Sequence, residues 1–286
     1  MDSTRVGLVG IGLLGTAIAE RLLGAGYSVV GWDVRPERRQ HLVQLGGQAA
    51  ESPGESVGCE QVVLSLPHAG IVDEVVSTVG EDLEAGTTLI DTTTGDPGQL
   101  EAIGIALRQR DVDYLDATVG GSSQHVREGR AMVMVGGDRE VFQASRPLLA
   151  RLASRAIHVG PIGHGARMKL VVNLVLGLNR AALAEGLSLA DGLGLEGGLA
   201  LECLQAGPAW SRAMDDKGQK MLEQDFAPQA RLSQHLKDVR LILDSGRETS
   251  TRLPLSDVHC RLLESVETAG FGDEDNSAIL RAYRLA

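Results

Sequence analysis

A glycine-rich segment close to the N-terminus has the spacing of a dinucleotide-binding turn. Residues 10–15 read GIGLLG, follow the β-branched run Arg5–Val9 and open a helical pattern. In this context the glycines permit a tight turn, a close approach of the backbone to a pyrophosphate and close packing of helix on strand. The N–H groups of the helix N-terminus would face the phosphates. A plain strand-to-helix turn is the alternative. The predicted cofactor-binding residues of this segment are Gly10, Gly12, Leu13, Leu14 and Gly15.

An acidic residue after the second apolar run favours the dinucleotide site over a plain turn. Asp33 follows the run Ser28–Trp32, 23 positions after Gly10, which is close to the roughly 20 expected for a carboxylate that binds ribose hydroxyls. Because a carboxylate repels a 2′-phosphate, Asp33 favours NAD over NADP. Arg35 acts in the opposite direction, since a nearby arginine can hold that phosphate. We expect NAD or NADP as cofactor, with a slight preference for NAD.

A lysine in the second half of the chain is the candidate general acid/base. Lys169 lies early in a proline-free helical pattern that runs to about Leu193, and Asn173 follows four positions later, so both project from one helical face. Hydride transfer at a carbon that bears oxygen requires a proton donor or acceptor within about 3 Å of that oxygen. A solvated surface lysine is the alternative, but residues 168 and 170–172 are apolar. The sequence offers no cluster of metal ligands, so we expect no metal.

The elements that must position these residues alternate between strands and helices over roughly the first 160 residues. Seven apolar runs, rich in β-branched residues, are separated by stretches of helical periodicity. Such alternation implies βαβ units and a largely parallel sheet with helices on both faces. After Gly160 the β-branched runs disappear and helical spacing remains. We predict an α/β Rossmann-like domain over residues 1–162 and an all-α domain over residues 163–286, joined by a long helix.

The composition excludes several classes of protein. Lys and Arg number 27 against 38 Asp and Glu, a formal net charge of −11, and so acidic a chain without a basic stripe repels nucleic acid. Three cysteines without CxxC spacing argue against a disulfide framework or structural zinc. The chain begins without a signal-peptide pattern, and the apolar stretch Lys169–Leu178 is too short and too polar to span a bilayer. We expect a cytoplasmic protein without nucleic-acid or membrane partners.

Further segments occur in the order and spacing of one enzyme family. They are VLSLP at 63–67, IDTTT at 90–94, DATVGGS at 116–122, MVGG at 134–137, GPIG at 160–163, Lys237-Asp238, and GFG at 270–272 with Asp275 and Ser277. Together with the glycine-rich turn, Lys169 and Asn173, they resemble the β-hydroxyacid dehydrogenase family over nearly the whole chain. The resemblance implies an NAD(P)-dependent oxidoreductase that transfers a hydride between the cofactor and a small 3-hydroxy acid or its semialdehyde.

The resemblance also implies roles for individual residues. Leu66 and Pro67 would lie in a loop beside the cofactor, and Thr93 would lie near the nicotinamide ribose. Lys237 would approach the cofactor from the helical domain. Lys169 would be the general acid/base, and Asn173 would bind the substrate next to it.

The predicted substrate loop departs from the family pattern. The family usually has Ser-Gly-Gly where this chain has Gly120, Gly121 and Ser122. Either the backbone N–H groups of these three residues hold a substrate carboxylate alone, or a displaced hydroxyl has taken over that role, for which we favour Ser122 over Ser123. His125, in the same loop, either contacts the substrate or caps the loop.

Two alternatives to a hydroxyacid dehydrogenase stay open at this point. Imine reductases have the same fold but usually carry Asp or Tyr in place of the lysine, so Lys169 argues against them while the altered loop favours them. A non-catalytic dinucleotide-binding module would lack the lysine. The resemblance further implies a homo-oligomer, a dimer or tetramer, because helices of the C-terminal domain pack between subunits in this family.

Overall fold

A computed structural model describes residues 4–284, which form two compact units. Unit 1 ends at Lys169 and unit 2 begins at Leu170. The sequence predicted a domain boundary after residue 162. The compact units divide seven residues later because the first turns of the long helix are hydrogen-bonded to the sheet of unit 1.

Unit 1 contains an eight-stranded sheet. Its strands are β1 (Arg5–Val9), β2 (Ser28–Trp32), β3 (Gln48–Ala49), β4 (Gln61–Leu64), β5 (Thr88–Asp91), β6 (Asp113–Gly120), β7 (Met132–Gly136) and β8 (Arg155–Gly160). They lie in the order β3-β2-β1-β4-β5-β6-β7-β8. Every neighbouring pair is parallel except β6 with β7, which is antiparallel. The strand order changes direction between β1 and β4, and open sheets of this kind bind ligands beyond the carboxyl ends of the strands at that point.

Helices connect these strands, and both faces of the sheet are buried. The helices of unit 1 are α1 (Leu13–Gly24), α2 (Pro36–Gln44), α3 (Pro53–Val57), α4 (Ala69–Thr78), α5 (Pro97–Arg108), α6 (Ser123–Arg127) and α7 (Arg139–Leu152), with a 3₁₀ turn at Gly80–Asp82. Leu8 and Val9 are consecutive in β1 yet belong to different hydrophobic clusters, as do Val62 and Val63 of β4. Since successive side chains point to opposite faces, this is the pattern of a sheet covered on both sides. The predicted Rossmann-like fold is confirmed.

Unit 2 is helical throughout its described part. The long helix α8 (His164–Gly192) begins in unit 1 and is followed by α9 (Gly197–Ala206), α10 (Arg212–Glu223), α11 (Leu232–Glu248), α12 (Pro254–Val266), one turn of π-helix at Glu267–Phe271 and a 3₁₀ segment at Asn276–Tyr283. Leu183, Leu187, Leu236 and Leu263 lie in its hydrophobic core. The predicted all-α second half is confirmed.

Helix α8 is longer than the apolar stretch Lys169–Leu178 of the sequence. Its 29 residues are long and apolar enough to cross a membrane by length and composition, with a hydropathy of 1.4. However, its buried side chains include Lys169 and Asn173, which donate hydrogen bonds to Val119 and Asp238. Polar side chains buried along one helix are expected where other protein groups pair with them, whereas lipid would leave them unpaired. We therefore assign α8 as a core helix.

Candidate active site

The glycine-rich turn joins β1 to α1 as the sequence predicted, and its geometry depends on glycine. Gly10 has a φ of +92°, which L side chains rarely adopt. A Cβ on Gly10 would lie 2.2 Å from the carbonyl oxygen of Ser65, and one on Gly15 would lie 2.0 Å from the carbonyl oxygen of Gly10. The N-cap of α1 is Gly12, which has no side chain to bond the first N–H groups, those of Leu13 and Leu14 among them. The turn therefore fits a pyrophosphate group.

Asp33 ties this turn to the start of α2. Its side chain is 4% exposed. Oδ2 accepts hydrogen bonds from the N–H of Ile11 at 2.8 Å and from Nη1 of Arg38 at 3.0 Å, and Oδ1 accepts one from the N–H of Arg35 at 2.9 Å. Arg35 thus contacts the carboxylate through its main chain. The guanidinium that pairs with Asp33 belongs to Arg38, a residue that the sequence analysis did not assign to the site.

The loops after β4 and β5 are bonded to each other at the carboxyl edge of the sheet. The N–H of Leu66, next to Pro67, donates to Oγ1 of Thr93 at 3.1 Å. The hydroxyl of Thr92 donates to the carbonyl oxygen of Leu64 at 2.7 Å. Because β1, β4 and β5 are adjacent strands, these loops lie on the same edge as the glycine-rich turn. Leu66, Pro67 and Thr93 therefore lie at the edge of the sheet where open parallel sheets bind their ligands.

The buried carboxylate of Asp91 holds the Thr92–Thr94 turn through a hydrogen bond. Asp91 is fully buried and accepts hydrogen bonds from the N–H of Thr93 at 2.8 Å and from the hydroxyl of Tyr114 at 2.6 Å. Burial raises the pKa of Asp91 to about 6, although the bonds from Thr93 and Tyr114 oppose that shift. The Thr93 N–H is thus held by a carboxyl group that takes up a proton as the pH falls through about 6.

Strand β6 holds the N-terminus of α8 through a second buried carboxylate. Asp116 Oδ1 accepts the N–H of Gly163 at 3.0 Å, and Oδ2 accepts the N–H of Ala166 at 2.8 Å. Thr118, on the same strand, donates its hydroxyl to the carbonyl oxygen of Gly165 at 2.9 Å. A Cβ on Gly165 would lie 2.1 Å from the carbonyl oxygen of Asp116. The helix start therefore sits directly on β6, and burial raises the pKa of Asp116 while the N–H donors oppose that change.

Lys169 lies at the end of this anchored segment. Its Nζ donates a hydrogen bond to the carbonyl oxygen of Val119 at 2.6 Å, and its side chain is 8% exposed. Val119 is the residue before Gly120, where the predicted substrate loop begins. Unit 1 therefore brings the candidate acid/base to within one residue of that loop, and the solvated surface lysine does not describe this position.

The substrate loop contains a capping box formed by a serine and a histidine. Gly120 ends β6, Gly121 has a φ of +131°, and Ser122 is the N-cap of α6. Nδ1 of His125 accepts the N–H of Ser122 at 3.0 Å and lies 3.0 Å from its hydroxyl oxygen, which also accepts the N–H of His125. His125 is therefore a cap of the loop, and both polar groups of Ser122 already have a partner within it.

Two predicted residues, Asn173 and Lys237, lie in unit 2. Nδ2 of Asn173 donates to Oδ2 of Asp238 at 3.0 Å, and Asn173 is 6% exposed. Nζ of Lys237 lies 3.7 Å from the other oxygen of Asp238. Because Nδ2 is the donor to Asp238, the Asn173 amide has its carbonyl oxygen left as an acceptor for a hydroxyl.

Sequence reasoning missed the roles of Arg38, Asp116 and Asp238. Asp116 directly precedes Ala-Thr-Val, and Asp238 directly follows Lys237. Both carboxylates were visible in the sequence, since both segments carried the family resemblance. Arg38 had only its place in a run of arginines as a signal. In the part of the chain that the structure describes, no three His, Cys, Asp or Glu side chains are grouped as metal ligands.

Both units match known protein families. Residues 5–160 match the family described as the NAD binding domain of 6-phosphogluconate dehydrogenase. Residues 163–283 match the family described as NAD-binding of NADP-dependent 3-hydroxyisobutyrate dehydrogenase.

Individual relatives agree with these matches. The chain is 31% identical over 286 residues to 2-(hydroxymethyl)glutarate dehydrogenase of Eubacterium barkeri, covering 98% of this chain and 95% of that protein. The crystal structure of 3-hydroxyisobutyrate dehydrogenase from Salmonella typhimurium matches with a TM-score of 0.89 at 27% identity, covering 98% and 99% of the two chains. An imine reductase from Pseudomonas sp. has a TM-score of 0.69 at 22% identity, over 98% and 99%, and shares the fold alone. The chain therefore belongs to the β-hydroxyacid dehydrogenase family, NAD(P)-dependent oxidoreductases that act on hydroxy acids.

Proposed function

We propose that this chain interconverts a small 3-hydroxy acid and its semialdehyde with a nicotinamide cofactor, and that Lys169 is the general acid/base. The observation that carries the proposal is the buried Nζ of Lys169 on the carbonyl oxygen of Val119, next to the Gly120–Ser122 loop. Two relatives support the substrate class, since 2-(hydroxymethyl)glutarate and 3-hydroxyisobutyrate are both 3-hydroxy acids.

Hydride transfer, proton transfer and orientation of the substrate would each depend on a different group. The bound nicotinamide supplies or accepts the hydride. In the reductive direction the Lys169 ammonium donates a proton to the carbonyl oxygen of the substrate, and in the oxidative direction the neutral amine takes the proton from the hydroxyl. The carbonyl oxygen of Asn173, oriented by the bond from its Nδ2 to Asp238, accepts the substrate hydroxyl. Leu66, Pro67 and Thr93 would contact the cofactor.

The carboxylate of the substrate would be held by the loop at residues 120–122. Gly120 and Gly121 expose backbone without side chains, and Gly121 has a conformation that favours glycine. The N–H of Ser122 donates to His125, so its contribution would be to the shape of the loop. The expected hydroxyl of Ser122 is likewise engaged within the capping box.

For the cofactor we propose NAD(H) as the slightly preferred form. Asp33 lies beside the glycine-rich turn with its carboxylate among N–H donors, where it would accept hydroxyls of the adenosine ribose. A carboxylate there repels a 2′-phosphate. We propose a cytoplasmic location as well.

For the assembly we propose a homo-oligomer formed through α8. Three apolar side chains spaced along the unit 2 part of this helix are exposed, namely Val171 (57%), Val175 (52%) and Leu189 (63%), and Leu193 (66%) follows directly after the end of the helix. A stripe of this kind on one helix is expected to be covered by another apolar surface, and a second copy offers an identical one. Light scattering after gel filtration should give a dimer or tetramer, and a Val175→Glu variant should give monomer.

A turnover screen tests the function. Small 3-hydroxy acids, 2-hydroxy acids, their carbonyl counterparts and a cyclic imine are each incubated with the oxidised or reduced cofactor, NAD and NADP in parallel. We expect turnover of at least one 3-hydroxy acid or semialdehyde and none of the imine. Turnover of the imine without any hydroxy acid would instead identify an imine reductase, and nucleotide binding without any turnover would identify a non-catalytic module.

A further inference from the structure

The loop at residues 120–122 leads directly into α6, and hydrogen bonds join the two segments. Ser122 is the N-cap of α6. Its N–H donates to Nδ1 of His125 at 3.0 Å, and the N–H of His125 donates back to the Ser122 hydroxyl. After the helix, the carbonyl oxygen of His125 accepts the N–H of Arg130 at 2.8 Å and that of Ala131 at 3.1 Å. The position of the loop is therefore set by the position of α6.

Helix α6 packs against α1, the helix that begins at the glycine-rich turn. Val126 of α6 is fully buried and belongs to the same hydrophobic cluster as Ala17 and Ile18 of α1. The next residue, Arg127, donates a hydrogen bond from Nε to Oε2 of Glu20 at 2.6 Å. An apolar contact and an ion pair thus join two helices whose paired residues are 107 positions apart in the chain.

The residue after Glu20 makes a second contact with the end of α6. A Cβ on Gly129 would lie 3.2 Å from Nη2 of Arg21 and 3.5 Å from its Cζ, so the guanidinium lies against the backbone of Gly129. Nε of Arg21 donates to the carbonyl oxygen of Arg151 on α7 at 2.9 Å, which holds the guanidinium in place. Two consecutive residues of α1 therefore contact the C-terminal end of α6.

Helix α1 has a different task at its first turn. The N–H groups of Leu13 and Leu14 lie there, after the N-cap Gly12, where the pyrophosphate of a dinucleotide would bind. Glu20 follows Leu13 by seven residues, which is two turns or about 10 Å along the helix axis. Because both contacts lie on one short helix, α1 fixes the distance between the bound cofactor and α6.

We propose that Glu20 and Arg127 are positioning residues of the reaction. Their ion pair holds α6, and with it the carboxylate-binding backbone at residues 120–122, at a set distance from the cofactor bound on α1. The inference rests on the proposed function, since it takes the loop as the carboxylate site. Hydride transfer requires the two reacting carbons to be aligned, and a small displacement of the substrate is costly.

Exposure of the pair separates this role from a contribution to the fold. The side chains of Arg127 and Glu20 are 33% and 31% exposed, and partly exposed ion pairs contribute little to global stability. The buried Val126 stays in place when the pair is broken, so α6 should remain folded on α1. Loss of the pair should therefore affect the substrate more than the stability of the protein.

Removing one charge of the pair tests the proposal. With the best 3-hydroxy acid of the turnover screen, Glu20→Gln should lower kcat/KM by about 10-fold, mainly through a higher KM at saturating cofactor. AMP binding, measured by calorimetry, should stay within about threefold, and the urea midpoint should match the parent. The matched control is Glu274→Gln, which breaks a pair with Arg281 of similar length (2.8 Å) and exposure (30% and 28%) and should change none of these values.

A double-mutant cycle with Arg127→Gln tests whether the two residues act through each other. The double variant should lose no more kcat/KM than the more damaged single variant. Hydrogen exchange of the backbone amides at residues 122–131 adds a measurement that needs no substrate. Exchange there should be faster in both single variants and in the double variant, because α6 opens more often without the pair, and should stay at the parent rate in Glu274→Gln.

Three results would overturn the inference while the proposed function stands. A kcat/KM within twofold of the parent in both single variants would make the pair a surface contact alone. Losses that multiply in the double variant would show that the residues act separately. A loss of AMP binding as large as the loss of kcat/KM would place the effect on α1 and the cofactor. Absence of turnover of every hydroxy acid by the parent itself would overturn the proposed function and the inference together.

Discussion

The ammonium nitrogen of Lys169 is 2.6 Å from the carbonyl oxygen of Val119. Fifty residues separate them in the chain, and the contact exists because β6 also binds the start of α8 through Asp116 and Thr118. Asp116, Thr118 and Val119 of this one strand thus determine where the lysine lies. The arrangement keeps a long, flexible side chain in one place, which reduces the entropy lost when it meets a substrate.

Replacing the lysine tests its chemical role. Lys169→Ala should lower kcat by about 10²-fold or more, because one positioned acid/base group contributes roughly 10²–10⁴-fold. AMP and cofactor binding should change little, since the glycine-rich turn and Asp33 are elsewhere in the fold. Steady-state kinetics and calorimetry measure the two effects. The control is Lys220→Ala, which replaces a lysine of α10 that pairs with Asp225. A kcat for Lys169→Ala within a few-fold of the parent would exclude the acid/base role.

The anchor beneath the lysine gives a second prediction. Asp116→Asn replaces one accepting oxygen by an NH₂ group that faces a backbone N–H donor, Gly163 or Ala166. We expect stability to fall by about 1–3 kcal/mol and kcat by about 10–100-fold, since a small displacement of a catalytic group is costly. Asp113→Asn, on the same strand but exposed, should alter neither. Loss of stability with an unchanged kcat in the folded enzyme would show that Asp116 supports the fold alone.

Much of the fold could be predicted because its signals are local. The glycine-rich turn, the acidic residue after β2 and the change from β-branched runs to helical spacing each depend on neighbouring residues. The two-residue strand β3 and the short helix α3 carry too few residues for any periodicity to show. The fold class therefore followed from the sequence, while these small elements required the structure.

The part of the candidate site that could not be predicted from the sequence consists of contacts between residues far apart in the chain. The bonds from Asp116 to the start of α8 span 47 and 50 residues, and no spacing rule in the sequence encodes them. Which of Arg35, Arg38 and Arg39 pairs its guanidinium with the Asp33 carboxylate depends on the direction of each side chain at the start of α2. Lys169 was recognisable from its apolar flanks and its place in the family pattern, but the acceptor that holds it was not.

The substrate loop gives a prediction that differs from the one the sequence suggests. A displaced serine hydroxyl that reads the carboxylate would make Ser122→Ala costly for acids alone. In the structure that hydroxyl bonds His125 within a capping box, so we expect kcat/KM to fall for an acid and for its uncharged ester by the same factor, with about 1 kcal/mol lost from loop stability. Ser123→Ala, the neighbouring control, should change little. A loss confined to the acid would return the carboxylate-binding role to Ser122.

A buried histidine in unit 2 predicts how stability depends on pH. His259 on α12 is 3% exposed, and a Cβ on Gly177 would lie 2.6 Å from its Cε1. Burial, aided by the charge of Arg180, lowers the pKa of His259 to about 4 from 6.5. Between these values the unfolded chain binds a proton that the folded chain does not, so stability falls as pH decreases through the window. The full difference is about 3 kcal/mol, from 1.36 kcal/mol per unit of pKa.

Urea unfolding at pH 7, 6, 5 and 4.5 measures this contribution. In His259→Gln the decline in unfolding free energy between pH 6.5 and 4.5 should be shallower than in the parent by up to one proton, or about 1.4 kcal/mol per pH unit. His41→Gln, at an exposed position on α2, is the matched control for the loss of a histidine. The difference between parent and variant removes the contributions of every other titrating group. Parallel curves for His259→Gln and the parent would show that His259 titrates alike in the folded and unfolded chains, and would contradict the assignment of a neutral, buried imidazole.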